Sequence, residues 1–258
     1  MRLTAPQAVL EYVREMERQD GKHRLLHLAK HVCDAAAERF ERGEPPSDLF
    51  RRKSFDAYVV SLDLRRSTDM MLLAKDANNF AAFMRSVFDE LACIIKANLG
   101  VIEKFTGDGL LAYFPVGFSG PHAGYRAVKA CDETLDFFTS HYNCRRSHFN
   151  CVLEDFGLSA GIDFGEVQLR EITETPSLLG KPVAFACRLS SGPSGDILVN
   201  QSAYDHIQES CPGGVCFETV SLEIKHLGTL ACYRVKKQDI AFPLKNPDWY
   251  EGTPLAND

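Results

Sequence analysis

Two aspartates stand where short apolar segments end, which is where a fold can hold a carboxylate rigidly in place. Asp63 lies near the C-terminal end of the apolar run Ala57–Leu64, and Asp108 lies in the turn Thr106–Gly109 between two further apolar runs. A carboxylate in a buried strand is costly unless a cation or hydrogen-bond donors satisfy it, so both aspartates are candidate metal ligands. The alternatives are a satisfied or helix-capping Asp63, and an Asp108 that serves only the hairpin turn.

The elements that must position these aspartates can be predicted from periodicity and turn residues. Ala57–Leu64 is expected to be a central strand, and Val101–Pro115 a β-hairpin with Asp108 at its tip. Between them, Asp76–Asn98 has the apolar spacing of a long amphipathic helix. A rigid hairpin tip is a good position for a metal-binding carboxylate.

The chain beyond the hairpin continues to alternate between helices and strands. The order βαββαβ, followed by additional αβ elements, predicts an α+β fold with a ferredoxin-like sheet and helices on one face. The predicted elements are a helix at Pro121–His141, a strand pair at Phe156–Arg170 around Asp163–Gly165, a polar segment at Glu171–Ser177, a helix at Leu179–Leu189, a strand at Asp196–Val199, a helix at Gln201–Glu209 and final strands within Val215–Val235.

An N-terminal helical region is expected to precede this core. Helices are predicted at Pro6–Arg18 and at Lys22–Arg42, and Glu44–Ser47, with two prolines, breaks the second one. This break marks a domain boundary. The predicted division of the chain is a helical extension at 1–50, a core domain at 51–240 and a C-terminal tail at 241–258.

Histidine and cysteine patterns do not indicate a metal or disulfide site. His23, His27 and His31 share one face of the second predicted helix and could in principle bind a metal. No carboxylate or cysteine joins that stripe, so ordinary helix-face histidines are the favoured interpretation. The nine cysteines are an odd number without a Cys-x-x-Cys pair, which argues against both a disulfide framework and a zinc ribbon.

Composition narrows the class of protein further. With 258 residues, of which 45% are hydrophobic and 25% charged, the chain can bury a substantial core. Its net charge of −6 argues against sequence-independent binding of nucleic acid as the main task. No apolar run approaches the ~20 residues that span a bilayer, and the N-terminus lacks an apolar signal core, so we expect a cytoplasmic protein without membrane contact.

Four segments in series resemble the catalytic domain of the class III nucleotide cyclases, the superfamily of adenylate and guanylate cyclases. The resemblance covers about Phe55–Lys236. It rests on a strand-end metal motif that contains Asp63, a hairpin that contains Asp108, a strand motif and a helix motif, in the family's order and near its spacing. The four segments are Ser61–Thr68, Ile102–Phe114, Ser159–Val167 and Leu179–Leu189.

This resemblance implies a reaction and roles for particular residues. A class III cyclase converts a nucleoside triphosphate to the 3′,5′-cyclic monophosphate and pyrophosphate. The resemblance makes Asp63, Leu64 and Asp108 ligands of two divalent ions, Mn²⁺ or Mg²⁺. It makes Arg188 the group that stabilises charge at the α-phosphate, which is worth ~10³-fold or more. In the family the site lies across a homodimer, so Arg188 would act on substrate held by the partner's aspartates, and Lys225 would contact phosphate.

The segment that follows Asp63 and the base pocket carry the remaining expected substrate contacts. Backbone groups from Leu64 onward would cradle phosphate oxygens. Arg66 stands where the family has glycine, and would meet the triphosphate or point to solvent. Lys104 keeps the position of the family's base-reading lysine. The expected substrate-binding residues are Leu64, Arg66, Ser67, Thr68, Lys104, Ser177, Ala184 and Lys225.

Two departures alter the purine pocket. Ser177 replaces the family's second base-reading residue, Asp or Thr, and Ala184 replaces the helix asparagine that steadies the ribose. Losing the asparagine removes one orienting hydrogen bond, worth about 1–3 kcal/mol if it is not replaced. With helices in place of a sensory module, the chain most resembles the pyrimidine cyclases of bacterial Pycsar anti-phage defence, which make a cyclic nucleotide for a separate effector.

Three functions therefore stay open. The first is a pyrimidine cyclase, with UTP as the favoured substrate and CTP next. The second is a purine cyclase with a rearranged base pocket, which Lys104 favours. The third is a degenerate cyclase fold that only binds nucleotide or a partner, suggested by Ala184. Both aspartates and Arg188 argue against the third, because binding alone does not require metal ligands and a transition-state arginine.

Overall fold

A computed structural model describes residues 25–47, 52, 54–150, 155–171, 176–224, 228–236 and 242–250. Within them the chain forms an eight-stranded sheet with helices, which confirms the predicted α+β class. The strands are β1 (Ser54–Arg65), β2 (Val101–Phe105), β3 (Gly109–Pro115), β4 (Gly157–Glu171), β5 (Pro176–Leu179), β6 (Ile197–Val199), β7 (Cys216–Ile224) and β8 (Gly228–Lys236). The helices are α1 (Asp34–Glu41), α2 (Ser67–Leu73), α3 (Ala77–Ala97), α4 (Val116–Ser119), α5 (Ala123–Cys144), α6 (Lys181–Leu189) and α7 (Gln201–Ser210), with a 3₁₀ turn at Arg146–His148. Helices cover both faces of the sheet rather than the one face predicted, because α6 and the N-terminal region pack on the second face.

The sheet is built around β1. Its strand order is β2-β3-β1-β4-β6-β8-β7, and β5 pairs with β4 outside this path. The first four strands of this order pair with one another antiparallel and, with α3 and α5, form the predicted ferredoxin-like βαββαβ unit, whereas β6 joins β4 in parallel. β1 is buried along most of its length, as expected for a strand with a ladder on each side.

One face of the sheet, which we call the three-helix face, packs against α3, α5 and α7. The even-numbered side chains of β1, from Tyr58 to Leu64, point into this core. α3 begins at the N-cap Asp76, whose carboxylate accepts a hydrogen bond from Asn78 N at 3.2 Å. Its buried residues recur at helical spacing, so α3 presents one apolar stripe to the sheet.

The opposite face, which we call the α6 face, carries the odd-numbered side chains of β1. Phe55, Ala57 and Val59 form a second core there with residues from the N-terminal region, β5 and α6. Trp249 of the C-terminal segment stacks on Phe118 at a ring separation of 4.8 Å and packs against the same core. The alternation continues through Ser61 to Asp63, so the Asp63 side chain lies on the α6 face.

Two sequence predictions are wrong in detail. The predicted helix Lys22–Arg42 is interrupted: residues 25–29 are helical, a turn follows, and α1 begins at Asp34. The break frees His31 O to accept Ile102 N at 2.9 Å, which ties this region to the edge strand β2. The predicted strand pair at Phe156–Arg170 is the single strand β4, because β1 pairs with it without interruption from residue 157 to residue 168.

Two further predictions concern segments that the structure describes only in part. The segment Glu171–Ser177, predicted to be polar and irregular, contains the start of β5, which pairs with the end of β4. The predicted helix Pro6–Arg18 lies outside the described residues. Among the described helices, none has the length and apolar character needed to cross a membrane.

Candidate active site

Asp63 sits where the ladder between β1 and β3 ends. It faces Gly109 of β3 and Ser159 of β4, and its side chain is 33% exposed. The ladder with β4 continues to Arg65, so Leu64 is paired on one side only. The Leu64 side chain is buried in the three-helix core, which leaves only its backbone for the metal and substrate contacts expected of this residue.

The hairpin turn places Asp108 next to Asp63. Thr106 N donates to Gly109 O at 2.9 Å, and Gly107 adopts φ of +78°, which closes the turn tightly. A Cβ atom on Gly109 would lie 2.2 Å from Leu62 O, so only glycine allows the turn to approach β1 this closely. Because Gly109 is the cross-strand partner of Asp63, Asp108 stands one residue from the position opposite it.

The electrostatics of the two aspartates support a cation site. Burial raises the pKa of the Asp63 carboxyl, the hydrogen bond from Arg65 opposes this rise, and the negative charge of Asp108 adds to it. Two carboxylates that repel each other in this way are stabilised by a shared cation. Arg65 Nη1 supplies positive charge, 2.9 Å from Asp63 Oδ2.

The residues present fit a divalent ion that is completed by substrate. The described residues contain no group of three or more His, Cys, Asp or Glu side chains that could hold a metal. Mg²⁺ is commonly bound through one or two carboxylates with substrate phosphates and water supplying the other ligands. Asp63 and Asp108 meet that requirement, because their oxygen donors suit hard cations such as Mg²⁺ and Mn²⁺.

The short helix α2 brings its first residues to Asp108. Ser67 Oγ donates a hydrogen bond to Asp108 Oδ2 and so orients the carboxylate. Arg66 precedes the helix with φ of +60°, a conformation that favours glycine, which explains why glycine is the family's residue there. The Arg66 guanidinium pairs with Asp69 at 2.7 Å, so this structure shows a local ion pair at Arg66.

An apolar cavity lies beside Asp108, between α2 and α3. Its volume is about 280 Å³. Ser67, Thr68, Gly107 and Asp108 form its polar side. Its apolar side is formed by Met71, Phe80, Met84 and Phe88. Thr68, an expected substrate contact, therefore lines the same cavity as Asp108, an expected metal ligand.

Lys104 and Ser177 are brought to one region by a carboxylate that the sequence analysis did not single out. Lys104 is 54% exposed, and its ammonium lies 3.3 Å from Glu103 Oε1. The same oxygen accepts Leu178 N at 3.2 Å, next to the half-buried Ser177. Glu103 thus links the strand that carries Lys104 to the strand that carries Ser177.

Helix α6 lies directly on β4, close to Asp63. A Cβ atom on Gly161 would be 2.1 Å from Ala186 O, so glycine is required for this contact. Beyond the helix, Ser190 Oγ lies 3.0 Å from Ser61 Oγ, and Ser190 O accepts a hydrogen bond from Ser159 Oγ. These contacts fix the end of α6 against β1, which carries Asp63, and against the neighbouring strand β4.

Ala184 and Arg188 project from the exposed side of α6. Both residues are exposed, whereas Ala186 and Leu189 are buried against the sheet. The Arg188 guanidinium lies 5.8 Å from the centre of the Phe185 ring. Its nitrogens form no hydrogen bond or ion pair with Asp63 or Asp108 within the described part of the chain. The role of Arg188 across a dimer stays a prediction.

Two remaining candidates do not contribute to the described site. Lys225 lies outside the described residues. In the N-terminal histidine stripe, the rings of His27 and His31 contact each other with their centres 4.5 Å apart and their planes tilted by 31°. Burial, together with the neighbouring charges of His27, Lys96 and Lys30, lowers the pKa of His31 to about 4, while the backbone contact with Ile102 opposes the shift. His27 lies within the helical residues 25–29, as the favoured interpretation expects, whereas His31 lies in the turn that follows them. His23 lies outside the described residues.

No family model and no curated protein matches the sequence. Solved structures do match it in fold. The adenylyl cyclase CyaB from P. aeruginosa aligns with 18% identity and a TM-score of 0.62, over 73% of this chain and 98% of that one. The guanylyl cyclase Cya2 aligns with 19% identity and a TM-score of 0.57, over 70% and 92% of the two chains.

A third similar structure is the guanylate cyclase domain of RhGC from Catenaria anguillulae in complex with GTP. It aligns with 19% identity and a TM-score of 0.58, over 73% of this chain and 100% of that one. At these identities the comparison establishes the fold. This chain folds like the catalytic domains of adenylyl and guanylyl cyclases.

Proposed function

We propose that the protein is a nucleotide cyclase. The observation that carries this proposal is the pairing of Asp63 with Gly109, which places Asp108 beside Asp63 on a cyclase fold. In the reaction, the ribose 3′-oxygen forms a bond to the α-phosphorus, and the bond from that phosphorus to the oxygen bridging to the β-phosphorus breaks. Pyrophosphate leaves, and the 3′-hydroxyl proton passes to solvent.

The residues around Asp63 would bind and orient the triphosphate. Asp63, Asp108 and the Leu64 backbone would hold two divalent ions, Mn²⁺ or Mg²⁺. Such ions supply the positive charge that lowers the pKa of the 3′-hydroxyl and offsets the charge of the leaving group. Ser67 orients Asp108, and Arg65 adds a fixed positive charge at the end of β1.

We propose that the base is a pyrimidine, with UTP favoured over CTP. Ser177 is shorter than the purine-reading residue of the family, and the methyl side chain of Ala184 cannot form a hydrogen bond with the ribose. Lys104 is already paired with Glu103, so its ammonium is less available to a base than a free lysine would be. These three features support a pocket that differs from that of the purine cyclases.

The purine alternative also has support. Lys104 retains a base-reading position, and the similar solved structures are adenylyl and guanylyl cyclases, one of them in complex with GTP. A degenerate fold that only binds nucleotide or a partner is the third candidate, because Ala184 lacks the family's amide.

We also propose that two copies of the chain share the active site. Arg188 is exposed and pairs with neither aspartate in its own described chain, which supports a role on substrate held by the partner copy. The cyclic nucleotide would act as a second messenger for a separate effector in antiviral defence, as the resemblance to Pycsar cyclases implies.

One assay separates the three functions. Purified protein is incubated with Mn²⁺ and, in parallel, UTP, CTP, ATP and GTP, and the products are identified by mass spectrometry. Cyclic UMP as the main product is the expected result, with cyclic CMP second. Dominant cyclic AMP or cyclic GMP would replace the pyrimidine proposal with the purine one. Binding of nucleotide without any cyclic product would favour the degenerate fold.

A further inference from the structure

An irregularity in the hairpin turns two successive charged side chains to the same face. Ile102 pairs with Ala112 and Lys104 with Leu111, so Glu103 is an extra residue in β2, a β-bulge. Leu111 belongs to the core of the α6 face, and its partner Lys104 therefore points to that face. Bulges are frequent next to active sites, where they redirect a side chain.

The carboxylate of Glu103, the extra residue of the bulge, is buried and makes specific contacts. The Glu103 side chain is only 3% exposed, although it carries a charged group. Oε1 accepts the backbone N–H of Leu178 and lies 3.3 Å from the Lys104 ammonium, while Oε2 is buried without a hydrogen-bond partner among the described residues. A carboxylate is costly to bury, so its retention here requires a role or a strong compensating contact.

Glu103 connects the two positions that flank the expected base. It fixes the ammonium of Lys104 on β2 and the backbone beside Ser177 on β5, although these strands are not neighbours in the sheet. A lysine without this partner could extend freely and donate to any acceptor on a base. With Glu103 in place, the lysine has a preferred position and part of its charge is offset.

We propose that Glu103 is a specificity-determining positioning residue, which sets base preference by holding Lys104 and the Ser177 backbone as one unit. The inference rests on the proposed function, because it assigns a role within the same base pocket. It does not depend on which base is preferred. Loss of the carboxylate frees the lysine, so discrimination between bases weakens while the chemical step is retained.

The test is the Glu103→Gln variant, which keeps an acceptor for Leu178 N and removes the charge. The kcat/KM values for UTP, CTP, ATP and GTP are measured. We expect the ratio of kcat/KM for the best nucleotide to kcat/KM for each of the others to fall about tenfold, which is the effect of one hydrogen bond to a charged group. The change should be in KM, since Glu103 does not touch the reacting atoms.

A second variant and a matched control separate positioning from folding. Lys104→Gln changes the exposed end of the same pair, so it should fold, and it should lower the ratio to a similar extent. The double variant should show no additional loss. Glu218→Gln removes a carboxylate of β7, at the opposite edge of the sheet, that lies 3.2 Å from the ammonium of Lys236 on β8, and it should leave the ratio unchanged. Thermal unfolding of every variant is recorded.

A binding measurement keeps this inference distinguishable from the proposed function. Displacement of a fluorescent nucleotide analogue by each of the four triphosphates gives the same ratios without turnover. A wild-type chain that discriminates in binding but makes no cyclic product would contradict the cyclase activity alone. Folded Glu103→Gln and Lys104→Gln variants that both keep the wild-type ratios would overturn the role of Glu103 and leave the cyclase activity intact.

Discussion

The α6 face of the sheet is closed at one end and open at the other. At the closed end, the N-terminal residues 25–41 cover it with buried apolar side chains such as Val32 and Phe40, each 1% exposed. At the open end lie charged groups that keep contact with solvent, among them Asp63 and Lys104, 33% and 54% exposed. The closed end anchors the N-terminal residues to the sheet, and the open end exposes the charged groups on which the proposed function depends.

Asp63→Asn and Asp108→Asn should have the largest effect on the open end. Each removes a carboxylate that the proposed metal site requires, so kcat should fall at least about a thousandfold, or about 4 kcal/mol. Steady-state cyclisation assays measure this loss. The unfolding temperature should not fall, because neither carboxylate belongs to an apolar core.

The control is Asp56→Asn, an exposed position on β1, the strand that carries Asp63, and it should keep full activity. Unchanged turnover in either site variant would contradict the metal assignment.

Arg188→Ala tests whether the open end is completed by a partner copy. Its kcat should fall about a thousandfold if the arginine stabilises charge at the α-phosphate. Mixing it with Asp108→Ala should restore about a quarter of wild-type turnover, because half of the dimers are mixed and each has one intact site. Activity is measured after the two proteins have exchanged subunits. Mixed dimers without recovered activity would exclude a shared site.

Phe40→Ala tests the closed end in the same way. The ring is buried where α1 packs on the sheet, so its removal should cost about 3–5 kcal/mol of unfolding free energy. Denaturant titration measures the loss. The kcat/KM of the folded fraction should stay near the wild-type value, since Phe40 lies away from the charged end. A selective loss of activity without loss of stability would show that the two ends are coupled.

The two ends also differ in how far the sequence reveals them. The positions of Asp63 and Asp108 follow from apolar periodicity and from the Gly-Asp-Gly turn, which are local signals. The break after residue 29 was missed because the pattern continues through it, whereas the tertiary hydrogen bond between Ile102 N and His31 O accompanies the interruption. Propensity is overridden there by a contact distant in sequence.

Arg65 and Glu103 were missed because each acts through a side-chain contact that the sequence motifs do not specify. The pairing of Arg65 with Asp63 depends on side chains two residues apart that share one face of a strand. The role of Glu103 depends on a bulge that interrupts the in–out alternation of side chains along β2. It also depends on a contact with Leu178 of β5, which is 75 residues further along the chain. The one available signal was a Glu-Lys pair within an otherwise apolar strand.

The smallest expected effect is a pH dependence at the closed end, through His31. Burial lowers its folded-state pKa to about 4, below the unfolded value of about 6.5, so the unfolded chain binds more protons between these pH values. Stability should therefore be full above pH ~6.5 and decrease as the pH falls toward about 4. Because the ring is partly exposed, we expect a loss of only about 1–2 kcal/mol. Unfolding titrations measure this loss at pH 7.5, about one unit above the unfolded-state pKa, and at pH 4.5, close to the folded-state pKa. His31→Gln should flatten it, whereas His27→Gln, which removes only a neighbouring charge, should reduce it slightly. An equal pH response in wild type and His31→Gln would assign the dependence to other groups and leave the closed end insensitive to pH.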